Sequence, residues 1–510
     1  MKYKKLSFII LFAISVAYNF PIIKTSLNPY DEGIILTGAE RILKSHIPYL
    51  DFWSMYPPGQ FYALAFLFKI FGISVLVERI YDIIIKSCIS LMSFLITQKL
   101  GFSNRVSLIN WAMSVVWIYY SGFPAYPVYP AILFIFISLY FFYNYTESNR
   151  THWIIYSGLF LTLGAMFRHD LSGMAAIAFL ITLLLRKLMG AERSWHPMLL
   201  YIFTMFLVGV PISIYLIKYV GIQPIFNQLI QTPADIMPKY RSLPYPSFIS
   251  FTTLRFYAFP LVLLIGLFTS LVLIIKHKTH SMLSYNLFIL SVIGILFINQ
   301  VRVRADSIHL LPVVLVSIII IPVLFSFAQS WLKEMVPKAK SGTVLIFLII
   351  LGSIFIRPIY AKVKMFNSDY LVKPNRSAIC RAGYSSMSDD LRDLVLYVRN
   401  HKQENIYVGV KNHDQFIVNE VIIYFLVPSN YPTKYNELHP GVTTTPEKQR
   451  EIIDELKKSS VKTVVLTPSY WFERNQTAFD TKINLLDDYI SENYEVIKKF
   501  GTYEVWISKG

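Results

Sequence analysis

Residues 58–71 read PGQFYALAFLFKIF. The stretch is apolar almost throughout, yet it is shorter than the ~20 residues a membrane helix needs, and it carries Lys69. Whether it crosses a membrane decides the side on which every later loop lies. The surrounding chain makes the question unavoidable. Of its 510 residues 54% are hydrophobic and only 15% charged, with 34 Tyr and 38 Phe, a composition foreign to ordinary soluble proteins. Apolar runs at 6–23, 78–98, 106–121, 129–145, 153–167, 171–186, 197–218, 256–275, 282–299, 308–329 and 342–360 predict about eleven membrane helices, at most about thirteen. The first has a basic start (Lys2, Lys4, Lys5) and no small-x-small cleavage pattern before Pro21, so it reads as a retained anchor with a cytoplasmic amino terminus.

Charge settles the reading of 58–71. If that stretch lies in the interface as a short or re-entrant helix, the segments 1–5, 99–105, 146–152, 186–196, 276–281 and 330–341 share the cytoplasmic side, with 14 Lys/Arg in 48 residues. The opposite segments 24–79, 119–128, 168–170, 219–255 and 300–307 hold 11 in 114. Letting 58–71 span reverses this bias, against the positive-inside rule. Much of the net charge of +17 is thereby accounted for by topology, and no nucleic-acid partner is called for. The first outer loop, 24–77, then faces the same side as everything after Tyr360.

Beyond residue 360 the pattern changes. SDDLRDLVLYVRNHK and TPEKQREIIDELKKS have helical periodicity, NIYVGV and VKTVVLTP read as strands, and YEVIKKFGTYEVWIS reads as a terminal hairpin. The expected organisation is a polytopic α-helical membrane unit, 1–360, followed by a small extracytoplasmic α/β domain, 361–510. Two distant cysteines, Cys88 and Cys380, indicate neither a disulfide framework nor a zinc site.

Ionisable residues gather on the outer side. Asp31 and Glu32 open a helical pattern after the first apolar run, where acidic residues suit the positive end of a helix dipole. Capping leaves Asp51, in the same loop, unexplained. A carboxylate at that depth has a second use, as a general base taking a proton from an attacking hydroxyl. Trp53, Tyr56 and Tyr62 flank the rigid Pro57–Pro58 turn and suit a membrane interface, with ligand stacking as the alternative. AMFRHDLSG places Arg168, His169 and Asp170 in a turn between apolar runs, and INQVRVRADSIHLLP repeats the situation with Arg302, Arg304, Asp306 and His309. Local salt bridges explain such clusters in part; ionisable groups at membrane depth also pair or serve sites, and an arginine fork matches a phosphate. Asp82 and Lys86, four apart, are placed to neutralise each other, with Lys86 as an additional phosphate contact the alternative.

DEG in the first outer loop, then HIPYLDFWSMYPPGQFY, FRHD, RADSIHLLP and the later YNELHPGVTTTPEKQREI together resemble the GT-C class of integral-membrane glycosyltransferases. The similarity is to the family-39 and family-83-like branch related to protein O-mannosyltransferases and lipid A aminoarabinose transferases. The resemblance implies a GT-C fold and a polyprenyl-phosphate-linked sugar donor. It also implies hexosyl or pentosyl transfer to a glycan, lipid or protein acceptor on the outer membrane face, with inversion at the anomeric carbon. Asp31 matches the first-loop acidic position that acts as base in this class, with Glu32 as its neighbour or substitute. Some relatives have lysine before the paired prolines, touching donor phosphate; this chain has Tyr56, which moves that role toward Arg302, Arg304, Arg168 or Lys86. Asp51, Asp170, Asp306 and His309 complete the expected set around the substrate. A stabilised phosphate leaves without help from a metal, and no HExxH-like spacing asks for one; no cofactor is expected. The rival class is a transporter or lipid or glycolipid flippase, for which related halves and broken midplane spans are the usual signs. A non-catalytic scaffold fits the charged span ends less well.

Overall fold

The computed structural model describes residues 2–120, 123–250, 253–277, 282–335, 355–356, 358–360, 379–401, 405–414, 418–469 and 481–509. The amino-terminal part is helical: α1 (Lys2–Asn19), α2 (Asp31–Leu43), α3 (Gly59–Phe71), α4 (Val75–Lys99), α5 (Asn104–Tyr120), α6 (Val128–Ser148), α7 (His152–Ala165), α8 (His169–Leu188) and α9 (His196–Val220). There follow the short α10 (Ile222–Phe226), a π-helical stretch Asn227–Ile236 and α11 (Met237–Arg241). The long helices α12 (Leu254–His277), α13 (Met282–Val303) and α14 (Ser307–Met335) complete this part.

Among the described residues eight helices are long and apolar enough to cross a membrane, so the chain is an integral, multi-pass membrane protein. The expected runs 106–121 and 153–167 form α5, of 17 residues, and α7, of 14, shorter than a typical span. The expected span 342–360 lies almost wholly outside the described residues. Helix α3, where the reading of the topology began, has 13 residues, or about 20 Å at 1.5 Å per residue. It buries Phe61, Leu64, Ala65 and Phe68 while Tyr62, Phe66, Ile70 and Phe71 face outward, so both of its faces are apolar.

The carboxyl-terminal region follows the expected alternation. Helices Asp389–Asn400 and Pro446–Lys458 begin at Ser388 and Thr445, whose side chains accept from the backbone N–H groups of Leu391 and Lys448. The strands β1 (Ile406–Val410), β2 (Thr463–Thr467), β3 (Tyr494–Phe500) and β4 (Tyr503–Ser508) form one sheet in the order β1-β2-β4-β3, parallel between β1 and β2 and antiparallel elsewhere. Two further helices, Ile422–Leu426 and Leu485–Asn493, were not foreseen.

One apolar core is shared by the loop and helices that follow α1 and this region. Ile34, Ile35, Leu36, Phe61 and Leu64 pack in the same cluster as Val408, Ile422, Ile423, Phe425 and Val465. Each such side chain taken from water contributes roughly 1.5–3 kcal/mol. Backbone contact reinforces it: Ile422 N–H donates to the Pro29 carbonyl at 2.9 Å, and a Cβ on Gly33 would meet the Ile422 nitrogen at 2.4 Å. Only glycine allows this approach. Helix α2 is buried on nearly all sides as a result, an amphipathic helix no longer.

Candidate active site

Asp31 and Glu32 are consecutive on α2, so their side chains diverge by about 100° around the helix. Glu32 turns inward. Its carboxylate accepts from Arg79 Nε at 2.9 Å and Nη2 at 3.1 Å and from the backbone N–H of Asn28 at 2.8 Å. Arg79 Nη1 also donates to the carbonyls of Ile22 and Thr25, at 2.9 and 2.8 Å, so this fully buried pair fastens the end of the first apolar run to α4. Glu32 therefore stands in the scaffold and not beside the outer charges.

Asp31 turns the other way. Its backbone N–H donates to Asn28 Oδ1 at 3.1 Å, and it keeps partial solvent access although protein surrounds it. Burial raises the carboxyl above its ordinary range, opposed by the charges of Arg241, His439 and Arg304 and by hydrogen bonding from Asn28. These names assemble the site, because they come from four distant parts of the chain.

The turn between α2 and α3 supplies Tyr56. Burial pushes its phenol well upward, with the charges of Asp31 and Glu437 adding to the effect and that of Arg168 opposing it. Its carbonyl accepts from the Tyr49 hydroxyl at 2.8 Å, which holds the turn before Pro57. The backbone N–H of Gly59 donates to the Met166 carbonyl at 2.8 Å, joining the start of α3 to the turn that carries Arg168. Arg168 makes a two-point ion pair with Asp170, at 2.9 and 2.7 Å, and hydrogen-bonds Tyr126. Gln300 accepts from Arg168 at 3.0 Å and donates to Asp170, linking FRHD to the end of α13.

At the start of α14, Asp306 accepts from Arg304 Nε at 2.9 Å, from the N–H groups of Ile308 and His309, and pairs with the His309 ring at 2.8 Å. The His309 and Arg304 contacts outweigh partial burial and hold the Asp306 carboxyl down at about 2. Arg304 Nη1 donates to the Arg241 carbonyl at 2.6 Å, and Leu243 pairs with it in a short parallel bridge, so α11 is strapped beside the RADSIH turn. The Arg168, Asp170, Arg304, Asp306 and His309 side chains remain 13–30% exposed.

The carboxyl-terminal region closes the site with NELHPG. Glu437 is buried, hydrogen-bonded to Ser54 and to His439 Nε2 at 2.9 Å. Burial raises its carboxyl, and the charge of Asp31 adds to the rise. Gly441, at φ +77°, permits the following turn, and the Tyr240 ring occupies the space its side chain would need.

The structure thus brings Asp31, Tyr56, Arg168, Asp170, Arg304, Asp306 and His309 into one neighbourhood. Lys86 is elsewhere: it is buried against Asp82 at 2.7 Å and over the Tyr129 ring, and Asp82 in turn accepts from the Ala125 N–H at 3.0 Å. Arg302 is exposed on α13 and donates to Asn299 at 3.1 Å. Asp51 shapes its own loop, accepting from the Ile47 N–H at 2.6 Å, while its carbonyl binds Arg41. Arg241, Tyr126, Glu437 and His439 were not singled out in the sequence. The signal available was NELHPG itself, an acid and a histidine before a Pro-Gly turn.

A helical membrane body, with a small mixed sheet folded onto the loop that follows α1, makes up a fold of the GT-C type, as its likeness to solved structures shows. The dolichyl-phosphate-mannose-protein mannosyltransferase family matches residues 55–217. The structure of ArnT from Cupriavidus metallidurans bound to undecaprenyl phosphate is similar over 98% of this chain and 97% of that one, with a TM-score of 0.56 and 12% identity. Apo ArnT from the same organism is similar over 99% and 98%, with a TM-score of 0.52 and 12% identity. No curated protein matches the chain in sequence.

Proposed function

We propose that this protein transfers a hexosyl or pentosyl group from a polyprenyl-phosphate donor to an acceptor hydroxyl at the outer face of the membrane, with Asp31 as general base. The observation that carries this reading is the single neighbourhood of Asp31 with Arg241 and Arg304 beside apolar helices. Asp31 takes the proton of the acceptor hydroxyl, whose oxygen attacks the anomeric carbon. The bond from that carbon to the phosphate oxygen breaks, and polyprenyl phosphate leaves with the electron pair. The leaving phosphate gains negative charge during the step, so arginines fixed in advance stabilise the transition state more than the ground state. A single displacement of this kind inverts the anomeric carbon.

A fold relative bound to undecaprenyl phosphate supports the class of donor. The membrane unit 1–360 holds the lipid, and the unit 361–510 lies outside and completes the site. Arg304 and Arg241 are the phosphate contacts in this reading, with Arg168 orienting Tyr126 and the FRHD turn. The test supplies purified protein with radiolabelled polyprenyl-phosphate sugars and membrane extract, comparing the wild type with Asp31→Asn. Label should move to an acceptor only with the wild type. Equal transfer by both removes Asp31 as base, and the absence of transfer with every donor supplied removes the enzyme reading.

A further inference from the structure

His439 is almost wholly buried, and its ring is fixed from two sides. Nε2 meets the Glu437 carboxylate at 2.9 Å, and the ring lies against Trp53 with centroids 5.2 Å apart. Ser54 holds Glu437 in turn, so neighbouring residues of the first outer loop position both members of the pair. With the Glu437 carboxylate ionised, Nε2 carries the proton, and in the neutral form of the ring Nδ1 is a bare acceptor. Among the described residues that Nδ1 has no hydrogen-bond partner.

A second buried histidine in the same region shows what a purely structural one looks like. His413 bonds Asp487 through Nδ1 at 2.7 Å and the Tyr407 hydroxyl through Nε2 at 3.1 Å, leaving neither nitrogen over. Buried polar atoms are rarely left unpaired, and an exception beside charged groups asks for a partner. His439 acts electrostatically on Asp31, and Glu437 acts on both Asp31 and Tyr56, so the pair borders the reacting groups.

Resting on the glycosyl-transfer reading, we propose that Glu437 and His439 form a sugar-recognition element, in which His439 Nδ1 accepts a hydrogen bond from a hydroxyl of the transferred sugar. Phosphate offers that nitrogen no donor and is drawn to the arginines. A sugar held between the arginines and Asp31 brings several hydroxyls to the same place. Glu437 fixes the tautomer and Trp53 fixes the plane, so the acceptor direction is set before the sugar arrives. The carboxyl-terminal region thereby selects the sugar while the membrane helices select the lipid phosphate.

The test measures binding of undecaprenyl phosphate and of its mannosyl, glucosyl and arabinosyl derivatives to the purified full-length protein in detergent. At least one sugar-bearing lipid should bind the wild type more tightly than undecaprenyl phosphate. His439→Ala should cut that gain by about 5–10-fold, the loss of one hydrogen bond, and leave undecaprenyl phosphate binding unchanged. Asparagine places an oxygen near the position of Nδ1, whereas glutamine places its amide near Nε2. His439→Asn should therefore retain part of the gain, and His439→Gln should lose it while keeping the Glu437 contact. Retention by Gln with loss in Asn overturns the proposal, as does an unchanged gain in all three variants. Loss of undecaprenyl phosphate binding in all three assigns His439 a structural role and also overturns it. Wild type that binds undecaprenyl phosphate but gains nothing from any sugar defeats this proposal alone; wild type that binds none of the lipids defeats the transferase reading beneath it.

Discussion

Adjacent carboxylates with opposite duties set the terms at the scale of single residues. Glu32→Gln breaks a buried two-point pair and strands Arg79, a change of the kind that costs about 3–5 kcal/mol. Thermal unfolding in detergent should register it as a clear loss of stability. Asp31→Asn should leave the melting temperature near that of the wild type while transfer falls by roughly 10²–10⁴-fold, the usual contribution of a general base. A base works only when ionised, and burial raises the folded-state value of Asp31. The rate should therefore decline as pH falls through that raised value, at a pH above the ordinary carboxylate range. A pH–rate profile with its acid limb at an ordinary carboxylate value contradicts the burial. Arg304→Lys keeps the charge but loses the fork that holds both Asp306 and the Arg241 carbonyl. Donor KM should rise about tenfold, with a smaller change in kcat, in steady-state kinetics.

Helices and loops show why the site forms where it does. Helix α2 depends on glycine at position 33, since a methyl group there meets backbone and not a side chain that can move aside. Gly33→Ala should lower stability by about 1–3 kcal/mol through overpacking, and limited proteolysis should cut the carboxyl-terminal region sooner than in the wild type. The elements themselves were legible because their signals are local. The capped helices, the two parallel strands and the terminal hairpin all follow from periodicity within a few residues. Asp31, Arg168, Arg304 and their partners were legible because charge beside apolar runs is conspicuous. Arg241 was not, since its loop carries other basic residues and only the bridge between Leu243 and Arg304 selects it. Glu437 and His439 were not, because they lie some four hundred positions from Asp31 and nothing local announces the meeting. Lys86 was read correctly as a partner of Asp82, and the phosphate role offered beside that reading has no support in its burial.

At the scale of the molecule, the charge bias of the loops and the gathering of ionisable groups at one end make a joint prediction about sidedness. Single cysteines replacing Asp235 and Ser194 should be distinguished by a membrane-impermeant reagent added from outside. The first should be labelled and the second protected; the reverse pattern removes the orientation and, with it, transfer at the outer face. If the proposed transfer holds, the architecture divides recognition, with the apolar helices facing the lipid chain, the turns at their ends supplying arginines and the sheet-bearing region supplying Glu437 and His439.

The contact between Gly33 and Ile422 also bears on the order in which the protein is made. During synthesis Asp31 leaves the ribosome long before Glu437 and His439. Until the segment that carries Ile422 has folded back onto α2, Asp31 lacks two of its charged neighbours, Glu437 and His439. A nascent chain that has not yet reached Glu437 holds Asp31, Arg241 and Arg304 without that pair, so the charges of the site come together only late in synthesis.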